Sequence, residues 1–142
     1  MIAIVNGPNL NLLGLRQPEI YGSRSFSDFL PELRNRFPET EIVFFQSNSE
    51  GAIIDFIHDM GYGNHDCRGI VINPGAYAHY SYGIADAISS ISLPVIEVHI
   101  SNIHSREEFR RKSVTAPACK GIISGLGLEG YALALQWLIK NQ

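Results

Sequence analysis

Tyr21 and Arg16 share one glycine-punctuated stretch of this sequence, five residues apart. A phenol has a pKa of about 10 and is a poor base near neutrality. A guanidinium beside it favours the phenolate, which is a strong base. A tyrosine packed into a loop would show the same spacing. Glu97 and His99 form a second pair. Two apart on an extended segment, they point to one face, with Val98 and Ile100 on the other. Buried together, a carboxylate and an imidazole are costly unless hydrogen-bonded, so the spacing implies a polar network. His79 lies six residues beyond Asn73. Imidazole is the commonest general acid or base, although a capping or surface histidine fits equally. Metal ligation is the rival use of these histidines. The chain has no HxxxH or HExxH spacing, so no metal site is read from it.

Polar groups of other types accompany them. Asn6 and Asn9 follow one apolar run, and Asn73-Pro74-Gly75 follows another. Their amides suit a carbonyl or hydroxyl, but these are also ordinary turn formers. Arg106, Arg110, Arg111 and Lys112 hold four of the 11 basic residues. Arginine grips carboxylates and phosphates with two parallel bonds; a solvated segment paired with Glu107 and Glu108 is the alternative. Gly125-Leu126-Gly127-Leu128-Glu129-Gly130 matches the dinucleotide pattern GxGxxG. No strand can follow its helix and no acidic residue can lie about 20 positions on, so packing is the better account of these glycines.

Apolar runs of four to six residues alternate with amphipathic segments, and these must position the chemistry. Strands are expected at 2–5, 41–46, 69–73, 94–100 and 121–124. Helices are expected at 25–37, 49–60 (with Gly61 as its cap), 81–90, 105–111 and 127–140. The alternation predicts an α/β fold of three layers, a five-stranded parallel sheet in the flavodoxin-like order, forming a single catalytic domain over 1–142. Asn6, Asn73 and Glu97–His99 then reach one rim, beyond the carboxyl ends of the strands. Connections in such folds usually take about 2–6 residues. Residues 8–24 far exceed that, and their glycines and Arg16 suggest a mobile lid; a short helix at 10–15 followed by a turn is the alternative.

Composition narrows the function classes. The 142 residues carry 11 Lys+Arg and 14 Asp+Glu, a net charge of −3. That argues against an extended nucleic-acid surface but not against a local anion site. The apolar fraction of 45% is that of a globular chain. Cys67 and Cys119 lack CxxC spacing, so neither a zinc site nor a disulfide framework is expected. No basic leader precedes the first apolar run, and no run approaches the roughly 20 residues of a membrane span, so a cytoplasmic protein is expected. A phosphoacceptor receiver domain would need acidic residues after the first strand, where this chain has Asn6 and Asn9.

Nearly the whole chain resembles the type II 3-dehydroquinate dehydratases. The residues that carry the resemblance are Gly7-Pro8-Asn9-Leu10-Asn11-Leu12-Leu13-Gly14, Arg16-x-Pro18, Tyr21-Gly22, Asn73-Pro74-Gly75-Ala76-Tyr77-x-His79, Glu97-Val98-His99-Ile100-Ser101-Asn102 and Arg106-Glu107-Glu108-Phe109-Arg110. The resemblance implies a lyase that uses no metal or cofactor and removes water from 3-dehydroquinate by anti elimination through an enolate. Tyr21 would take the C2 proton, held anionic by Arg16 on the lid. His99, oriented by Glu97, would be the general acid for the C1 hydroxyl. Asn9 would stabilise the enolate through a water. Asn73, His79 and Arg110 would contact substrate hydroxyls, and the amides of Ile100 and Ser101 would clamp its carboxylate. Asp86 would reach a neighbouring subunit's site in a dodecamer built from trimers. The same reaction serves the shikimate and quinate pathways. Gln17, Ala78, Tyr80 and Ala85 depart from the family's usual residues.

Overall fold

The β-branched runs become five parallel strands because helices cover them on both faces. The computed structural model describes residues 1–141. Among these, β1 (Ile2–Asn6), β2 (Ile42–Gln46), β3 (Ile70–Asn73), β4 (Val95–His99) and β5 (Gly121–Ser124) form one sheet in the order β2-β1-β3-β4-β5. The expected α/β layering and strand order are observed. The order reverses direction between β1 and β3, which opens a crevice at their carboxyl ends.

Alternation along each strand sorts its side chains between two cores. Ile2, Ile4, Val71, Ile96 and Val98 face α2 (Phe26–Arg36) and α5 (Glu129–Lys140). Ala3, Val5, Ile70, Ile72 and Val95 face α3 (Glu50–Tyr62) and α4 (Tyr82–Ser90). Ser25, Ser49 and Ser81 cap α2, α3 and α4 by accepting from the amides of Asp28, Ala52 and Ile84. Among the described residues, no helix is long and apolar enough to cross a membrane.

Three expected elements differ. The second long helix does not stop at Gly61; α3 runs to Tyr62 and is capped by Gly63. Gly61 is there for packing, since a Cβ would lie 2.2 Å from Ile91 Cγ2. The expected helix 105–111 is instead two 3-10 turns, Ile103–Ser105 and Glu108–Arg110. The Asn102 side chain accepts from the His104 amide, and Arg106 between the turns is extended (φ −94°, ψ −175°), so no helix can run through it. Residues 8–24 hold a 3-10 turn at Leu10–Leu12 and a one-turn helix, here α1, at Pro18–Tyr21. Leu10 and Leu13 are buried beneath them, which anchors the start of the segment to the core.

Glycine at the crevice is fixed by a close approach of backbones. A Cβ on Gly7 would stand 2.3 Å from the Pro74 carbonyl oxygen, while one on Gly51 would meet nothing nearer than 3.9 Å. The same substitution should therefore act with opposite sign at the two positions. Gly7→Ala should destabilise by about 1–3 kcal/mol through overpacking. Gly51→Ala should stabilise by up to about 1 kcal/mol through helix propensity. Thermal unfolding of both variants checks this, and a Gly7→Ala protein as stable as the parent would refute the close approach.

Candidate active site

The crevice at the carboxyl ends of β1, β3 and β4 encloses a cavity of about 180 Å³. Its wall takes Asn9 from the turn after β1, Arg16 and Tyr21 from the long segment, and Asn73 from the end of β3. His79 comes from the turn before α4, and His99, Ile100 and Ser101 from β4 and its continuation. Arg106 and Arg110 close it from the irregular segment that follows. Glu97 stands behind this wall, fully buried. Asp86 is exposed on α4 and is not part of the cavity wall.

Tyr21 is the last residue of α1, which delivers its ring to the cavity. The guanidinium on its phenol belongs to Arg106. Arg106 Nη1 donates to the Tyr21 oxygen at 3.0 Å and to Ser101 Oγ at 3.2 Å, and its Cζ lies 5.6 Å from the Tyr21 ring centre. Arg16, expected in that role, lines the same cavity but makes no hydrogen bond to Tyr21 among the described residues. The sequence reading counted Arg106 only as part of a basic helical face. Its extended backbone turns it from that face toward the long segment. The signal in the sequence was the basic cluster itself, but not the fold that aims it.

Glu97 and His99 do share a face. His99 Nε2 meets Glu97 Oε1 at 2.6 Å. Ser113 Oγ also donates to Oε1, at 2.7 Å, and Thr115 Oγ1 donates to Oε2 at 2.6 Å. Burial pushes the Glu97 carboxyl up. The hydrogen bonds from His99, Thr115 and Ser113 and the charge of His99 outweigh it and hold the group below its ordinary value. An ionised carboxylate can only accept, so His99 carries its proton on Nε2 and leaves Nδ1 as the uncommitted ring nitrogen. His79 is fixed the other way round. Its Nδ1 is 2.8 Å from the Lys112 carbonyl, which also only accepts, so Nε2 is the uncommitted nitrogen. The two imidazoles are nearly parallel, with centres 6.4 Å apart.

Asn73 is held from below. Its Nδ2 donates to the Tyr131 hydroxyl at 2.9 Å, and its Oδ1 accepts from the Gly75 amide at 3.1 Å. Tyr131 in turn donates to Asn6 Oδ1 at 2.8 Å. These bonds fix which way the Asn73 amide faces and leave it one N–H for a ligand. Asn9 adopts the left-handed conformation (φ 66°), which asparagine tolerates better than most residues. Its amide donates to Asn48 Oδ1 at 3.0 Å, tying the start of the long segment to the end of β2.

Charge completes the picture. Among the described residues the cavity wall includes three arginines and two histidines but no carboxylate. Arg110 Nε lies 3.1 Å from Glu107 Oε2, yet that buried N–H has no hydrogen-bond acceptor of its own among the described residues. The arrangement can therefore hold a small anion. It lines one cavity with a phenol hydrogen-bonded to a guanidinium and an imidazole hydrogen-bonded to a carboxylate.

The chain is similar to known proteins over nearly its whole length. A 3-dehydroquinate dehydratase of Caldicellulosiruptor bescii is 57% identical over 136 residues, covering 94% of this chain and 92% of that protein. One of Bacillus subtilis is 53% identical over 142 residues, covering 98% and 93%. The crystal structure of a type II dehydroquinase from Propionibacterium acnes superposes with a TM-score of 0.92 at 43% identity, over 99% of this chain and 96% of that one. The family model for dehydroquinase class II matches residues 1–139, and the chain belongs to that family.

Proposed function

We propose that this protein is a 3-dehydroquinate dehydratase that eliminates water in the anti sense through an enolate. The observation that carries the reading is the Arg106–Tyr21 contact facing the His99–Glu97 pair across a cavity without carboxylates. The Arg106 guanidinium donates to the Tyr21 oxygen, the atom that takes a proton from carbon. Tyr21 removes the C2 proton, and the C–H electron pair moves into the C3 carbonyl to give the enolate. Asn9 stabilises the developing oxyanion, through a bridging water where direct reach fails. The carbonyl then re-forms, the C1–C2 double bond closes, and the C1–O bond breaks. His99 supplies the proton that lets the C1 hydroxyl leave as water, and Glu97 stabilises the imidazolium that gives it.

The remaining wall groups orient the substrate. Ile100 and Ser101 clamp its carboxylate, while Asn73, His79 and Arg110 hold its hydroxyls. Residues 8–24 act as the lid, with Arg16 riding on it; closing over the substrate excludes water and strengthens the Arg106–Tyr21 interaction. No cofactor or metal has a part in these steps. Asp86, exposed and away from its own cavity, completes the site of a neighbouring subunit in a dodecamer of trimers. The reading places the enzyme in the cytoplasm, in the shikimate pathway or its quinate counterpart.

Turnover is read directly, because the product's conjugated enone absorbs where the substrate does not. Purified protein should convert 3-dehydroquinate with chelator present, and no activity over a broad pH range would end the reading. Tyr21→Phe should abolish turnover while leaving the fold intact; substantial remaining activity would reject Tyr21 as the base.

The two arginines should separate in kinetics. Losing a charge-assisted bond is worth about 1.5–3 kcal/mol, so Arg106→Ala should lower kcat by about 10- to 100-fold with a smaller change in KM. Arg16→Ala should cost less in kcat than Arg106→Ala. The reverse order would return the phenolate role to Arg16.

A further inference from the structure

The segment 112–115 touches His79 directly and reaches His99 through Glu97, although none of its residues lines the cavity. Lys112 offers its carbonyl to His79 Nδ1 at 2.8 Å. Ser113 and Thr115 send their hydroxyls to opposite oxygens of Glu97, which holds His99. Between them the Val114 amide donates to the Ala78 carbonyl at 2.7 Å, beside His79. Ser113 Oγ also accepts from the Ala116 amide at 3.0 Å, so the segment is held in place by its own turn.

We propose that Ser113 and Thr115 are positioning residues for proton transfer: their hydroxyls fix the buried Glu97 carboxylate against His99 Nε2, and their segment simultaneously sets His79 through the Lys112 carbonyl. This rests on the reading of His99 as the general acid. The physical need is specific. A carboxylate has about four acceptor positions, and in a fully buried site each empty one is an unsatisfied charge. His99 takes one position. Without the hydroxyls the carboxylate would draw its remaining stabilisation from a proton, and a neutral Glu97 no longer favours the imidazolium. The ionisable groups in contact with Glu97 are His99, on its own strand, and Cys119, whose Sγ lies 3.9 Å from Oε2 after the turn at Ala116–Ala118. Burial and then the Glu97 charge push the Cys119 thiol up, so it stays neutral and acts only as a weak donor. His79 faces His99 from the turn before α4.

The sign follows from these contacts. Glu97 is held below its ordinary value of 4.5, so its contribution is present above that pH and is lost as pH falls through the depressed value. Removing a donor must move that loss to higher pH. The test compares Thr115→Val, Ser113→Ala and the conservative Thr115→Ser by two readouts. One is the low-field proton resonance of His99 Nε2–H, followed as pH falls without substrate. The other is the pH profile of kcat. Thr115→Val and Ser113→Ala should each lose the resonance at higher pH than the parent. They should lower kcat by about tenfold or more with KM within about twofold. Thr115→Ser should restore both readouts. Ser113→Ala and Thr115→Ser carry the test if the valine variant does not fold. An unshifted resonance and acid limb in a folded donor-deletion variant would overturn the proposal. Shifted resonances in a protein with no turnover would uphold the positioning role and defeat the dehydratase reading instead.

Discussion

The Glu97 carboxylate is the constraint around which the site is arranged. It is a fully buried anion standing directly behind a cavity lined for anions. Burying a carboxylate without compensation costs several kcal/mol. Three strong donors answer that cost, each hydrogen bond to a charged group being worth about 1.5–3 kcal/mol. They come from three places: β4 itself, the turn at 113 and the residue before the Ala116–Ala118 turn. The irregular stretch after β4 is therefore not slack chain. It returns to the strand it left in order to satisfy a charge on it, and on the way it supplies two arginines that line the cavity.

The same stretch connects the long segment to the sheet. Arg106 bridges Ser101, on the continuation of β4, and Tyr21, at the end of α1. These residues are 5 and 85 positions from it in sequence, so the phenol meets its cation only through the fold. Gln17, with φ 43°, stands in the left-handed region between Arg16 and Pro18. A non-glycine residue there costs about 1–2 kcal/mol, and the proline that follows already disfavours the right-handed helical region. The cost falls in the middle of the segment that carries Tyr21 to Arg106. Leu10 and Leu13 root the segment's start in the core.

The layers, the strand order and the rim that gathers Asn73, His79 and His99 were legible in the sequence. Strands covered on both faces leave continuous β-branched runs, and residues next to strand ends converge once the order is set. The Glu97–His99 contact was legible for a similar local reason, since a period of two fixes the face. What was not legible depended on contacts distant in sequence. Gly61 read as a cap because nothing local reveals Ile91 beside it. The stretch 105–111 read as a short charged helix, whereas Asn102 and the extended Arg106 break it. The family resemblance matched Arg16 to Tyr21, while the residue that reaches the phenol is 85 positions away in sequence.

Net charge is a poor guide to such a site, and the reason is geometric. The chain carries −3 overall, yet the cavity wall presents arginines and histidines without a carboxylate among the described residues. The acidic groups nearest the site are used as backing. Glu97 holds His99 from behind the wall, and Glu107 sits 3.7 Å from Arg106 Nε and 3.1 Å from Arg110 Nε, on the exposed side of both. A carboxylate behind a cation favours its charged form and fixes its direction without meeting the ligand. An excess of acid in the sequence is thus compatible with a positive cavity, because Glu97 and Glu107 pair with its cations without lining it.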